Sequence, residues 1–403
     1  MLTDRSWLDA KPTRTLIAAL DAGGIAFRFV GGAVRDGLLG RPVADIDIAT
    51  PARPDAVMRA VEAAGLKAIP TGIAHGTVTA LVGRRHFEIT TLRRDIETDG
   101  RHAVVAFTED WRQDAARRDF TMNALYADRD GKVTDFFGGV ADARAGRVRF
   151  IGDPAQRIAE DALRILRFFR FHAWYGQGSP DAEGLAACAK LTGTIGRLSG
   201  ERLQVEIFKT LRAPNPSAVW QAMIDAGVTA RVIPAATRTD ALSRMVALEG
   251  ALGLPAEPVR RLAALLADLS DDAVAAIKDR LKLSNRDGDH LRSLDHMAEQ
   301  TGLVARRLFG QAVYGVQPAW VLDAAMLAQV RSGLPDTGSL AELHVFIGGW
   351  VQPRFPLSGA DLKAAGIAPG PEMGLLMAEL ERWWVAADFA PDRDDCLARL
   401  NRL

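Results

Sequence analysis

The chain has 403 residues, 48% hydrophobic and 25% charged, with 50 basic and 50 acidic side chains and a formal net charge of zero. That length exceeds what one hydrophobic core usually serves, so two or three packed units are expected. The balanced charge excludes a protein that grips nucleic acid through its total charge, so any RNA site must come from locally segregated cations.

The apolar runs stop well short of the roughly 20 residues that span a membrane. The N-terminus, MLTDRSWLDAKPTRTLIAAL, carries acids early and lacks an apolar core of signal-peptide length, so a cytoplasmic location is expected. Cys188 and Cys396 have no CxxC or CxxH neighbour, which argues against a disulfide framework or a zinc site and for two buried or incidental thiols.

From Phe27 to Phe150 the sequence reads as short strands broken by turns: FRFVGG, DIDIAT, GTVTALV, HFEITTLR and KVTDFFGG. Alternation, β-branched residues and glycine punctuation predict a sheet. From Asp153 the period changes. Ala162, Ile165, Leu166 and Phe169 follow the i, i+3, i+4, i+7 spacing of a half-buried helix, predicted over Asp153 to Phe171. ERLQVEIFKTLR, VRRLAALLADL, DDAVAAIKDRLKL and PEMGLLMAELERWWVAADF continue the helical character, with Pro and Gly clusters at Ala213 to Ser217, Gly253 to Pro258 and Val351 to Gly359 as joints. The fold class is α+β, a mixed-sheet head at 1–150 followed by a helical neck at 151–215 and a helical body and tail at 216–403.

In the predicted strand DIDIAT, Asp45 and Asp47 are two residues apart, so both carboxylates face one way while Ile46 and Ile48 face a core. Two like charges side by side persist most readily where a cation offsets them. Magnesium takes oxygen ligands, usually one or two carboxylates plus substrate phosphates, and a pair of such ions can promote in-line displacement. For Asp-x-Asp alone, a solvated strand edge is the competing reading. Upstream, Gly31 and Gly32 end a strand and precede Arg35, which lets backbone N–H groups approach a triphosphate without Cβ interference.

Taken together, FVGGAVRDGLLGRPVADIDIAT looks like the signature of class II tRNA nucleotidyltransferases and the related bacterial poly(A) polymerases of the polymerase β superfamily. The resemblance implies that Asp45 and Asp47 bind catalytic Mg2+ and that Gly32 and Arg35 contact the nucleotide. Glu88, in HFEITTLR, stands where some relatives present a third carboxylate. An arginine-paired strand residue accounts for it equally well, and it is left out of the metal set.

RRDFTMNALY, from Arg117 to Tyr126, is similar to the family's next motif and implies a nucleotide contact for Arg118, whose fork of donors suits a phosphate. Asp119 and Asn123 read as residues that fix the turn. DFFGGVAD, Asp135 to Asp142, reads either as a hinge between head and neck or as a plain glycine turn. In EDALRILRFFRF, Asp161 and Arg164 sit at i, i+3 on a predicted helix, where an acceptor and a donor can complement the Watson–Crick edge of a base. By resemblance Asp161 and Arg164 act as a protein template, with Arg167 and Arg170 matching the same pattern. Arg170 lies half a rotation from Asp161. LSGERLQVEIFKTL resembles a further neck segment and reads as structural.

These motifs span about residues 27 to 211 in the family's order, so the implied reaction is addition of CMP and AMP from CTP and ATP to the 3′ end of tRNA, completing or repairing CCA, with no protein partner and no membrane. RRDIETDGRHAVVAFTEDWRQDAAR resembles the flexible loop of full CCA-adding enzymes, with Ala103 where a proline is common. The ending PDRDDCLARLNRL has no basic tail of the kind common in poly(A) polymerases, and the helical half is expected to hold tRNA by shape and backbone. Poly(A) addition is the alternative, and a catalytically inert RNA-binding protein on the same head is a further one. His290 and His296 read as ordinary surface histidines, and Trp383–Trp384 as helix packing.

Overall fold

The structure, a computed structural model, describes residues 1–98, 103–301, 306–333 and 336–403, those at 95–98, 103–105, 299–301 and 307 by backbone alone. Two compact units divide it, Met1–Pro234 and Ala235–Leu403.

Among the described residues the first unit carries nine strands: β1 Arg28–Val30, β2 Ile46–Thr50, β3 Lys67–Gly72, β4 Thr77–Val82, β5 Arg85–Thr91, β6 Arg93–Thr98, β7 Ala103–Phe107, β8 Leu125–Ala127 and β9 Val133–Asp135. Seven of them form one mixed sheet in the order β3-β4-β5-β2-β1-β8-β9. β2 is central, antiparallel to β1 and parallel to β5. It alternates as the sequence requires: Ile46 and Ile48 are buried while Asp47 is exposed. The helices Lys11–Ala22 and Pro54–Ala63 pack on each other and on β4, and the short helix Gly32–Leu38 packs on β1, β2 and β8.

The segment from Arg93 to Arg118 is not one loop: β6 and β7 pair as a hairpin, and the helix Trp111–Ala116 follows. Consecutive β-branched residues at Val104 and Val105 suit a strand, and a two-stranded hairpin needs no long apolar run. Its tip, residues 99–102, and the side chain of Ala103, on which the loop expectation also falls, lie outside the described residues.

The predicted helix over Asp153 to Phe171 is two helices, Pro154–Glu160 and Leu163–Tyr175. Asp161 breaks it with extended backbone, φ −152° and ψ 107°, and its Oδ1 accepts from Leu163 N at 3.0 Å. A side-chain acceptor for an orphan N–H is what allows a second helix to start. The apolar period runs through the break, which is why it gives no warning.

The second unit is helical. The predicted joints fall between helices: 253–258 joins Thr239–Ala251 to Pro258–Leu265, and 351–359 joins Thr337–Gly348 to Gly359–Ala364. Trp384 packs with Leu362, Leu380, Cys396 and Leu400, in keeping with the packing role expected of it. His296 is exposed, but His290 is buried, with Nε2 3.1 Å from Asp323 Oδ2 and its ring stacked on Trp320. Its acidic partner sits on another helix, Pro318–Ser332, out of reach of a local motif.

Glu257, His290 and Asp323 bring ligand atoms within 4.8 Å of one another, close enough to share a cation. Arg260 already donates to Asp323 at 2.6 Å, and its backbone N–H to Glu257 at 2.6 Å, so the cluster is balanced internally. Among the described residues no helix is long and apolar enough to cross a membrane.

Candidate active site

Asp45 leads into β2 and Asp47 lies in it, and both are exposed. The parallel register sets Asp47 against Glu88 of β5, on the same face of the sheet. Desolvation by the protein around the cleft raises the Asp47 carboxyl above its ordinary value even though the side chain still reaches solvent, with the charges of Glu88 and Asp45 adding to it and Arg118 opposing. Glu88 does not line the cleft described next.

That cleft, about 690 Å3, is walled by Gly31, Gly32, Asp45, Asp47 and Arg118 from the head segment, and by Asp161, Arg164, Arg167 and Arg202 from the helical neck segment. Arg35 and Asp36 line it as well, as do Arg93, Arg117, Asp119 and Asn123. Three of its aspartates are tied to arginines: Asp36 to Arg35, Asp119 to Arg167 and Asp161 to Arg202. Asp45 and Asp47 alone receive no hydrogen bond or ion pair from the described residues. A hard cation with phosphate and water as further ligands fits that donor set.

Gly31 has φ +70°, a conformation that favours glycine, and turns the chain from β1 into the helix Gly32–Leu38. Arg35, buried on that helix, donates to Asn123 Oδ1 at 2.7 Å, Tyr175 Oη at 2.6 Å and Asp36 at 2.9 Å. Arg118 is aimed by Asp114, a fully buried carboxylate that also accepts from Arg117 Nε at 2.9 Å and Tyr126 Oη at 2.7 Å. Burial pushes Asp114 up, but Arg118 and Arg117 outweigh it and hold the group below its ordinary value. Asp119 behaves likewise: burial raises it, while Arg167, Asn123 and the Phe120 N–H bring it down overall.

In the neck segment, Asp161 Oδ2 accepts from Arg202 at 2.7 Å. Arg164 does not pair with Asp161; it donates to Glu160 at 2.5 Å, Arg157 O at 2.9 Å and Arg117 O at 3.2 Å, which braces it against the arginine pair. Arg170 stands apart from the cleft, 2.6 Å from Glu206, and lines a second cavity. In DFFGGVAD, Asp135 accepts the N–H groups of Phe137, Gly139 and Val140, a Cβ at Gly139 would lie 2.1 Å from Thr121 O, and Gly138, at φ +78°, turns the chain into the helix Gly139–Arg144.

Sequence reasoning did not single out Arg202, Asp114 or Arg93 as cleft or supporting residues. Arg202 lies in the Ser-Gly-Glu-Arg helix start, where a cation offered a signal; nothing local marks Asp114, which acts only through the arginines it holds.

Residues 27–149 match the Poly A polymerase head domain, and residues 179–239 match the probable RNA and SrmB-binding site of polymerase A. The chain is 34% identical over 388 residues to the mitochondrial CCA tRNA nucleotidyltransferase 1 of Mus musculus, covering 93% of this chain and 86% of that protein. It is 29% identical to the CCA-adding enzyme of Limosilactobacillus fermentum, over 98% of this chain and 97% of that one. Its fold superposes on the Bacillus stearothermophilus CCA-adding enzyme in complex with CTP with a TM-score of 0.80 at 26% identity, covering 98% of both chains.

Proposed function

The chain belongs to the family of CCA-adding tRNA nucleotidyltransferases and poly(A) polymerases, and we propose that its cleft transfers CMP and AMP from CTP and ATP to the 3′ end of tRNA, in the cytoplasm. The observation that carries this reading is the pairing pattern: three cleft aspartates are neutralised by arginines, and Asp45 and Asp47 are left for a cation.

The terminal 3′ hydroxyl oxygen attacks the α-phosphorus, the bond to the β-phosphate bridging oxygen breaks, and pyrophosphate leaves as the hydroxyl proton passes to water. Divalent cations are expected for this family, and Mg2+ held by Asp45 and Asp47 would activate the hydroxyl and offset charge on the leaving group. Gly32 and Arg35 flank the triphosphate, and Arg118 supplies a guanidinium to its oxygens. Asp161 and Arg164 offer an acceptor and a donor to the base edge, and Arg167, held by Asp119, supports the site beside them. In this proposal residues 1–150 are the catalytic head, 151–215 the base-selecting neck and 216–403 the tRNA-binding body and tail.

The test supplies CTP and ATP, singly and together, with Mg2+ and tRNA lacking its CCA end. Restored CCA is the expected product. Long A-tails on generic RNA without use of CTP would overturn tRNA in favour of the poly(A) reading, which the match of residues 27–149 to a poly(A) polymerase head keeps in view.

A further inference from the structure

The helix Leu163–Tyr175 lines the main cleft with Leu163, Arg164, Arg167 and Phe171. Its last two turns wall a second cavity of about 290 Å3, lined by Arg170, Phe171, Trp174, Tyr175, Lys209 and Arg212. Arg35 and Phe171 are common to both. The helix Gly200–Leu211 runs beside it in the same direction, since the contacts advance together: Asp161 with Arg202, Arg170 with Glu206, Trp174 with Lys209. From Arg164 to Trp174 is ~15 Å at 1.5 Å per residue, so the two cavities are successive stations along one helix.

No acid lines the second cavity. Glu206 holds Arg170 from behind at 2.6 Å, whereas Lys209 and Arg212 are exposed and make no ion pair with the described residues. The Trp174 indole N–H is committed to Lys209 O at 2.7 Å, which fixes the plane of the ring and leaves its face for contact. Tyr175 already carries the guanidinium groups of Arg35 and Arg41, at 4.0 and 4.6 Å from its ring centre. Trp174 is therefore the available platform. A fixed aromatic face bordered by unpaired cations is how proteins take hold of single-stranded nucleic acid, the ring stacking a base and the cations tracking phosphates.

We propose that this cavity is a subsite for the single-stranded 3′ segment of the RNA substrate, with one base stacked on Trp174 and flanking phosphates on Lys209, Arg212 and Arg170. The assignment of RNA as occupant rests on the function proposed above. It adds a station that holds the acceptor strand next to the cleft while the incoming nucleotide is read at Asp161 and Arg164.

The experiment measures affinity of the full chain for tRNA lacking its CCA end, by fluorescence anisotropy across a salt series and without nucleotide or metal, together with KM for CTP. Lys209→Ala/Arg212→Ala, both changes at exposed positions, is expected to weaken RNA binding at least ~10-fold and to flatten the plot of log K against log salt by about 1.4, from about 0.7 per phosphate lost on a single strand. Trp174→Ala should weaken binding roughly tenfold, and Trp174→Phe should recover most of it, because any aromatic face stacks a base. KM for CTP should stay at the wild-type value. An unchanged affinity and slope in the double variant, Trp174→Phe no better than Trp174→Ala, or a rise in KM for CTP with RNA affinity intact would each overturn the subsite. RNA binding is read without turnover, so a wild-type chain that binds tRNA through these residues but incorporates nothing would refute the catalytic reading and leave the subsite standing.

Discussion

Asp119 and Arg167 are joined where the head segment meets the neck helix, with Arg167 Nε donating to Asp119 Oδ2 at 2.7 Å. Asn123 donates to the same carboxylate at 3.0 Å and accepts from Arg35 at 2.7 Å. Arg35 and Arg167, which both line the cleft, are thereby held by one pair of buried side chains.

Breaking that link should cost both stability and binding. Asp119→Ala leaves Arg167 with Glu206 alone, 4.0 Å away, and because only the carboxylate of the pair is buried the loss should fall below the about 3–5 kcal/mol typical of breaking a fully buried ion pair. Urea unfolding should show a lower midpoint, and KM for both CTP and ATP should rise together. An unchanged midpoint would mean that Arg167 finds an equivalent partner.

Asp47 should trade stability for function. Its carboxyl is raised, so the folded chain retains a proton above the ordinary value of 3.8 that the unfolded chain has released, and its contribution to stability falls as pH rises through that window. Asp47→Asn removes the unfavourable charge. Without divalent metal at pH 7 it should melt at or above the wild-type Tm, while incorporation falls at least ~1000-fold, in line with the several kcal/mol a metal site contributes. A lower Tm with retained incorporation would contradict both halves. Asp45→Ala should abolish incorporation equally.

The buried acids Asp114 and Asp119 carry the opposite sign. Both sit below 3.8 in the folded chain, so their contribution is fully present above 3.8 and disappears as pH falls through the folded values. Denaturant midpoints measured from pH 7 down to pH 2 should drop most steeply below 3.8. Asp114→Asn, already destabilised at pH 7, should show a shallower drop, and a slope equal to wild type would refute the role given to Asp114.

Base selection should depend on Arg202 as well as on Asp161 and Arg164. Arg202 donates to Asp161 at 2.7 Å and fixes the position of its carboxylate. Arg202→Ala, Asp161→Ala and Arg164→Ala should each change the ratio of CTP to ATP kcat/KM by roughly tenfold, the order expected when a charge-assisted hydrogen bond of about 1.5–3 kcal/mol is lost. Circular dichroism should show the helices intact. Equal loss for both nucleotides would place these residues in support of the fold.

What local pattern controls was legible in the sequence. Asp45 and Asp47 face one way because a strand alternates, and Gly31 turns the chain because its left-handed φ favours glycine. The α+β division and the Pro and Gly joints between helices follow from changes of period and from residues that cannot continue a helix. The break at Asp161 did not show, because the apolar spacing is the same on both sides and only a side-chain hydrogen bond opens it. Pairings between distant segments were equally hidden: Asp161 with Arg202, Asp119 with Arg167, His290 with Asp323. A sequence names the charges but not which of them meet, and burial decides how strongly each is felt. By itself the sequence determined the strand alternation around Asp47, the glycine turn and the order of motifs, since each rests on contacts a few residues apart. Only the tertiary structure decided which arginines are consumed in holding other side chains and that Arg170 belongs to a second cavity, because those outcomes depend on how helices and sheet pack in three dimensions.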